Sequence, residues 1–412
     1  MPHSETTRAW SKGKLLKFSL FSIVLFLLAA EGISRIIFYF KFRGLHTSVY
    51  IQGSPLQEED TNTVYNNRAY YVDYEKRFQY NEKGMRSLCG DFRLPARKGK
   101  NDLWIMLMGG SAMEGMGSNK EGDWYDITNI PDHPYAENIA FYLQSILQKK
   151  YPSRSVRVFN AAVSGFTIDQ GFLKYQSLST GYDFDWVISM DGVNECDTLN
   201  SDREEDEKAY DRKYWESFPF QAFPMRWIVP VTQHSALFSL LKQEIYYLRL
   251  NARTKRNERE GFPKRKFWAD HPTRPLLFAE SDQRVDNSVR SFIKEMKRWA
   301  GHLNGRNYLF LVQPYLAFRD SSKMSVEERA LGNYLRAADN DEYKQAFFKK
   351  VYDSVERISQ KDLHFQNMSA VQSWPGWNFV DYCHFTAAAN QRIADELANF
   401  IGADGKIRIF RE

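Results

Sequence analysis

Residues 103–109, LWIMLMG, form a short unbroken apolar run ending at a Gly-Gly pair, the pattern of a strand buried on both faces. Similar runs recur at 156–163, 186–192 and 308–314, with a weaker one near 364–369. Between them the apolar positions follow a helical period at 135–150, 168–179, 285–303, 341–360 and 387–401. Strand alternating with helix predicts an α/β fold, a parallel sheet covered by helices on both faces.

The amino-terminal pattern is different. Residues 18–30, FSLFSIVLFLLAA, carry no charge, but a helix of that length covers only about 20 Å of a hydrocarbon core roughly 30 Å thick. Apolarity resumes beyond Glu31 and Arg35, which stand four apart and can pair on a helix. The stretch from Leu15 to Phe40 can therefore span, and residues 1–40 are read as a single-pass membrane anchor. The competing readings are a buried or peripheral helix and a cleaved signal peptide. Leu28, where a small residue would be needed for cleavage after Ala30, disfavours the signal peptide. Basic residues flank the stretch on both sides, so charge barely discriminates its orientation.

Residues 41–100 are polar and Tyr-rich and read as a tether that packs on the main domain, with a turn at Asn81–Ser87 that puts Gly84 at positive φ. The main domain runs over 101–412. It is interrupted at about 197–284 by a segment far longer than a usual strand-to-helix loop. This insertion opens acidic (202–207), turns aromatic (215–231), carries a possible helix at 235–250 and closes basic (253–266). The aromatic run could wall an acyl chain, stack on a sugar, or form the insertion's own core. The basic run could meet anionic headgroups or form a solvated loop.

Composition narrows the classes. The chain has 412 residues, a formal charge of +5 and three cysteines, with no paired-cysteine metal spacing. Neither the charge nor any motif argues for a nucleic-acid partner. No metal or other cofactor is expected.

The residues that could do chemistry follow the predicted strands, where an open parallel sheet forms its ligand crevice. The first strand is followed by GGSAMEG with Ser111, the second by NAAVSGFT with Asn160 and Gly165, and the third by DGVNE with Asn194. The last helix is preceded by VDYCHFT with Asp381 and His384. These four blocks, in this order, resemble the SGNH hydrolases (GDSL esterases and lipases), which are named for Ser, Gly, Asn and His. Here the matching residues are Ser111, Gly165, Asn194 and His384, with Asp381 three before the histidine. Two positions depart from the family pattern. Gly110 stands where it has Asp before the serine, and Glu195 where it has Asp after the asparagine.

The resemblance implies a three-layer α/β/α sandwich with a parallel, flavodoxin-like sheet. It implies Ser111 as nucleophile, His384 as base, Asp381 as the group orienting it, and an oxyanion hole from Ser111, Gly165 and Asn194. The implied function is a serine esterase acting on an acylated carbohydrate or lipid of a cell envelope, with its catalytic domain outside the cytoplasm. The same serine would also serve an O-acyltransferase, and the fold a non-catalytic assembly protein. Cys196 and Cys383 flank the third and fourth blocks, and either a disulfide or two separate buried thiols is open.

Overall fold

The computed structural model describes residues 12–41, 57–60, 64–67, most of 80–118, 137–199, parts of 235–248, nearly all of 283–332, and 341–402. The acidic, aromatic and basic runs of the insertion lie outside these residues. The chain divides into two compact units, residues 1–55 with 218–259, and residues 56–217 with 260–412.

In the first unit, helix α1 covers Lys12–Lys41. Residues Gly13–Ile37 are long and apolar enough to cross a membrane, and almost none of this stretch is buried in the structure. Glu31 and Arg35 pair as their spacing predicts, Arg35 Nε donating to Glu31 Oε1 at 2.8 Å.

The second unit opens with a small hairpin, β1 (Gln57–Asp60) and β2 (Val64–Asn67). Its centre is a parallel sheet of β3 (Asp102–Gly109), β5 (Ser155–Asn160), β6 (Trp186–Asp191), β7 (Asn307–Val312) and β8 (Phe365–Asn367), in the spatial order β5-β3-β6-β7-β8. Numbered by chain position these strands run 2-1-3-4-5, the doubly wound flavodoxin order. The connection reverses direction between β3 and β6, and a ligand crevice opens at such a switch point.

Strand period sorts the core into two layers. Leu103, Ile105 and Leu107 of β3 pack with α3 (Ile139–Lys150) and α8 (Ala387–Phe400). Trp104, Met106 and Met108 face the other way, toward α4 (Ile168–Ser179), α6 (Gln283–His302) and α7 (Asp341–Ser359). Burying both faces of every central strand is what makes these runs continuously apolar.

Helix starts follow local chemistry. Asn138 caps α3 by accepting from Phe141 N at 2.9 Å, so that helix begins four residues later than its periodicity suggests. Thr167 and Gln170 form a reciprocal capping box on α4. The second strand ends at Asn160 rather than Val163. Ala161 and Val163 still donate to Leu107 O and Gly109 O, but as an irregular extension along the edge of β3. Helix α5 (Val193–Leu199) follows β6 and runs through residue 197. Gly84 has φ 64°, the turn expected there.

Candidate active site

Strand β3 ends at Gly109, and the chain turns at once into the one-turn helix α2 (Ser111–Glu114). Gly109 has φ 136°, and any Cβ on it would collide with Met190 O of the neighbouring strand. Only glycine fits there, and the turn it permits lifts Ser111 above the carboxyl edge of the sheet. The fourth block is brought to the same place by a second small parallel pairing. Strand β4 (Gly117–Ser118) lies beside β9 (Phe385–Thr386), with Gly117 opposite Phe385.

The result is a continuous relay. Ser111 Oγ lies 2.6 Å from His384 Nε2, and His384 Nδ1 lies 2.7 Å from Asp381 Oδ2. The other carboxylate oxygen of Asp381 accepts from Cys383 N at 2.8 Å and from His384 N at 2.7 Å. Asp381 and His384 are buried, and Ser111 is half-buried. Burial by itself would push the Asp381 carboxyl up. The facing His384 and the two backbone N–H groups outweigh that and hold it below the usual carboxylate range. A carboxylate on Nδ1 favours the tautomer with the proton there, which leaves Nε2 to accept from the serine hydroxyl.

Asn194 sits in the first turn of α5, at the switch point. Its Nδ2 donates to Phe166 O at 2.7 Å, which fixes the amide with nitrogen toward the β5–α4 loop. The same nitrogen lies against Gly110, beside Ser111. Gly165, with φ 84°, lies in that loop next to Phe166. The four sequence blocks thus meet at one end of the sheet.

Three polar side chains hold this arrangement; of them the sequence offers Asn160 as either an organiser of the site or a plain turn residue. Glu195 is buried and bridges two loops, Oε1 accepting from Ile168 N at 2.6 Å and Oε2 from Gly192 N at 2.7 Å. Glu114, also buried, accepts from Ser164 N at 2.7 Å and from the Tyr80 hydroxyl at 2.5 Å. Asn160 donates to Met113 O and Glu114 O at 3.1 and 3.2 Å, and accepts from Ala162 N at 3.2 Å. The segment before the sheet takes part as well. Arg86 is buried, donating from Nη1 to Glu114 O at 2.6 Å and from its backbone to Asn160 O at 2.8 Å. A carboxylate directly after an asparagine in a β–α turn was the available signal for Glu195. Nothing near Tyr80 or Arg86 in the chain marks their target.

Cys196 and Cys383 are both buried. Asp381, Cys383 and His384 cluster closely enough to hold a metal ion. The two ring nitrogens of that histidine are already engaged by Asp381 and Ser111, which suits proton transfer rather than ligation.

No family model and no curated protein matches the chain. Solved structures similar to it include LAE5, an alpha/beta hydrolase enzyme from the metagenome of Lake Arreo, Spain. That match has 13% identity over 72% of this chain and 93% of LAE5, with a TM-score of 0.29. Axe2, an acetylxylan esterase from Geobacillus stearothermophilus, matches at 10% identity over 72% of this chain and 92% of its own, with a TM-score of 0.29. The acetyl xylan esterase AlAXEase matches at 10% identity, 72% and 98% coverage and a TM-score of 0.27. At these scores the likeness carries no argument about activity, and the functional reading rests on the geometry above.

Proposed function

We propose that the chain is a membrane-anchored serine hydrolase of the SGNH type that cleaves an acyl ester of a cell-envelope carbohydrate or lipid. The observation that carries this is the Ser111–His384–Asp381 relay, with its 2.6 and 2.7 Å contacts. A serine hydroxyl is a weak nucleophile until a base accepts its proton, and a base held at hydrogen-bond distance removes that obstacle.

In this reading Ser111 Oγ attacks the acyl carbonyl carbon as its proton passes to His384 Nε2. Asp381 steadies the resulting imidazolium through Nδ1. The carbonyl oxygen becomes an oxyanion, met by the backbone N–H groups of Ser111 and Gly165 and by Asn194 Nδ2. That amide carries two N–H bonds; one is committed to Phe166 O, and the other serves the oxyanion. The C–O bond to the alcohol breaks, and His384 returns its proton to the leaving oxygen. Water, deprotonated by the same nitrogen, then attacks the acyl-enzyme and releases the carboxylic acid and free Ser111.

Helix α1 is read as the anchor, with its amino end in the cytoplasm and the catalytic unit outside it. The apolar stretch Gly13–Ile37 supports the anchor, and the resemblance to envelope hydrolases supports the side. The purified full chain in detergent should hydrolyse a small activated ester such as nitrophenyl acetate. Ser111→Ala and His384→Ala should each lower kcat by about a thousandfold or more. A Ser111→Ala protein that keeps its rate would overturn the assignment.

A further inference from the structure

Glu31 places a carboxylate inside the apolar stretch of α1, where an ionised group is costly unless it is paired. Its partners come from a part of the chain two hundred residues away. Oε2 accepts from Ser235 Oγ at 2.6 Å and from Leu237 N at 3.1 Å, while Oε1 accepts from Ala236 N at 3.0 Å. Ala236, Leu237 and Phe238 are helical, so Glu31 serves as the cap for a turn of helix on the insertion. Arg35 supplies the opposing charge from α1 itself. Ala236 and Ser34 are buried at this junction.

The other side of the insertion segment is open. Phe238, Leu241 and Leu248 are 47%, 49% and 67% exposed. Phe238 and Leu241 are helical and three residues apart, so they share one apolar face, about 60° from each other. The surface of α1 on either side of Glu31 is apolar and exposed too, with Leu28 and Ile33 at 65% and 59%.

Depth follows from residue counting. The stretch Gly13–Ile37 is about 37 Å long as a helix, against a hydrocarbon core of about 30 Å. Glu31 lies six residues, about 9 Å, before its end, at the outer part of one leaflet. A helical turn hydrogen-bonded to Glu31 must sit at that depth.

We propose that the described residues of the insertion between Ser235 and Leu248 form a second membrane-seated element, lying in the leaflet that holds the carboxyl-terminal part of α1. Phe238, Leu241 and Leu248 would face the acyl chains. Its occupant is thus the lipid bilayer, and these exposed side chains continue the lipid-facing surface of the anchor. This rests on reading α1 as a membrane anchor. It gives the insertion a mechanical role, fixing at the membrane surface a segment that returns to the sheet unit at both ends.

The full chain, with benzoylphenylalanine placed singly at Leu25, Leu241 or Leu248, can be reconstituted in phosphatidylcholine vesicles and photolysed. Leu25 lies in α1 and reports on the anchor alone. Lipid adducts, read by mass, should form at Leu241 and Leu248 in yields within about threefold of that at Leu25. Lipid adduct at Leu25 but none at Leu241 and Leu248 would overturn the proposal and leave the anchor standing. So would cross-linked dimer in place of lipid adduct, since the segment would then face a second copy. Absence of lipid adduct at all three positions would overturn both.

Discussion

The side-chain nitrogen of Asn194 lies so close to Gly110 that a Cβ on residue 110 would overlap it well inside van der Waals contact. Asn194 cannot easily retreat, because the same nitrogen donates to Phe166 O at 2.7 Å. With the Asn194 amide held in this position, residue 110 has room for glycine and not for a larger side chain. Gly110→Ala should displace the amide and lower kcat about a hundredfold, the usual scale for losing one oxyanion donor. A folded Gly110→Ala protein with full activity would show that Asn194 does not serve the oxyanion.

Glu195 offers a second test of the same loop. Its two oxygens tie Ile168 N to Gly192 N, and so hold the turn that presents Asn194 against the loop that carries Gly165. Glu195→Gln keeps the shape but replaces one acceptor oxygen with a donor group facing a backbone N–H. We expect kcat to fall by about tenfold or more with KM little changed, because the loss is felt at the oxyanion rather than in substrate binding. A fall in KM-dependent binding with kcat intact would assign Glu195 to the substrate pocket instead.

Much of this site was legible in the chain because strand ends announce themselves. The run Leu103–Gly109 had to be a buried strand, so Ser111 had to stand at its carboxyl edge. Asp381 and His384 could be joined to Ser111 only through the ordered blocks, since the β4–β9 pairing that seats them involves two residues on each side and leaves no periodic trace. Arg86, Tyr80 and Glu114 were invisible for a related reason. Arg86 acts on a backbone carbonyl, Tyr80 on a carboxylate and Glu114 on a backbone N–H, each distant in sequence, and no local pattern encodes such a partner. The cap that Glu31 provides for Ala236 belongs to the same class; the chain shows only its pairing with Arg35.

Asp191, two residues before Val193 and fully buried, gives a prediction on stability rather than rate. Burial pushes its carboxyl up from 3.8 to about 7, with a hydrogen bond from Ser189 pulling the other way. Its Oδ1 is buried with no hydrogen-bond partner among the described residues. A carboxyl whose folded value is raised binds its proton more tightly in the folded chain. Its contribution is therefore full below the unfolded value and is lost as pH rises toward the folded one. The wild-type Tm should fall between about pH 5 and about pH 7.5 by more than that of Asp191→Asn. Parallel melting curves across that range would show that Asp191 does not titrate there.

Membrane orientation can be read directly. A phosphatase reporter fused after Glu412 should be active only if the carboxyl end lies outside the cytoplasm, and a fluorescent reporter that matures only inside should stay dark. The reverse pattern would place the catalytic unit in the cytoplasm and remove the envelope substrate.

The central claim is that Ser111 is a nucleophile activated by His384. A fluorophosphonate reacts with an activated serine and forms a stable adduct that peptide mapping can locate. We expect one adduct, on the peptide containing Ser111, with labelling abolished in Ser111→Ala and slowed by about a hundredfold or more in His384→Ala. Labelling that persists in Ser111→Ala, or that maps to a different residue, would contradict the account.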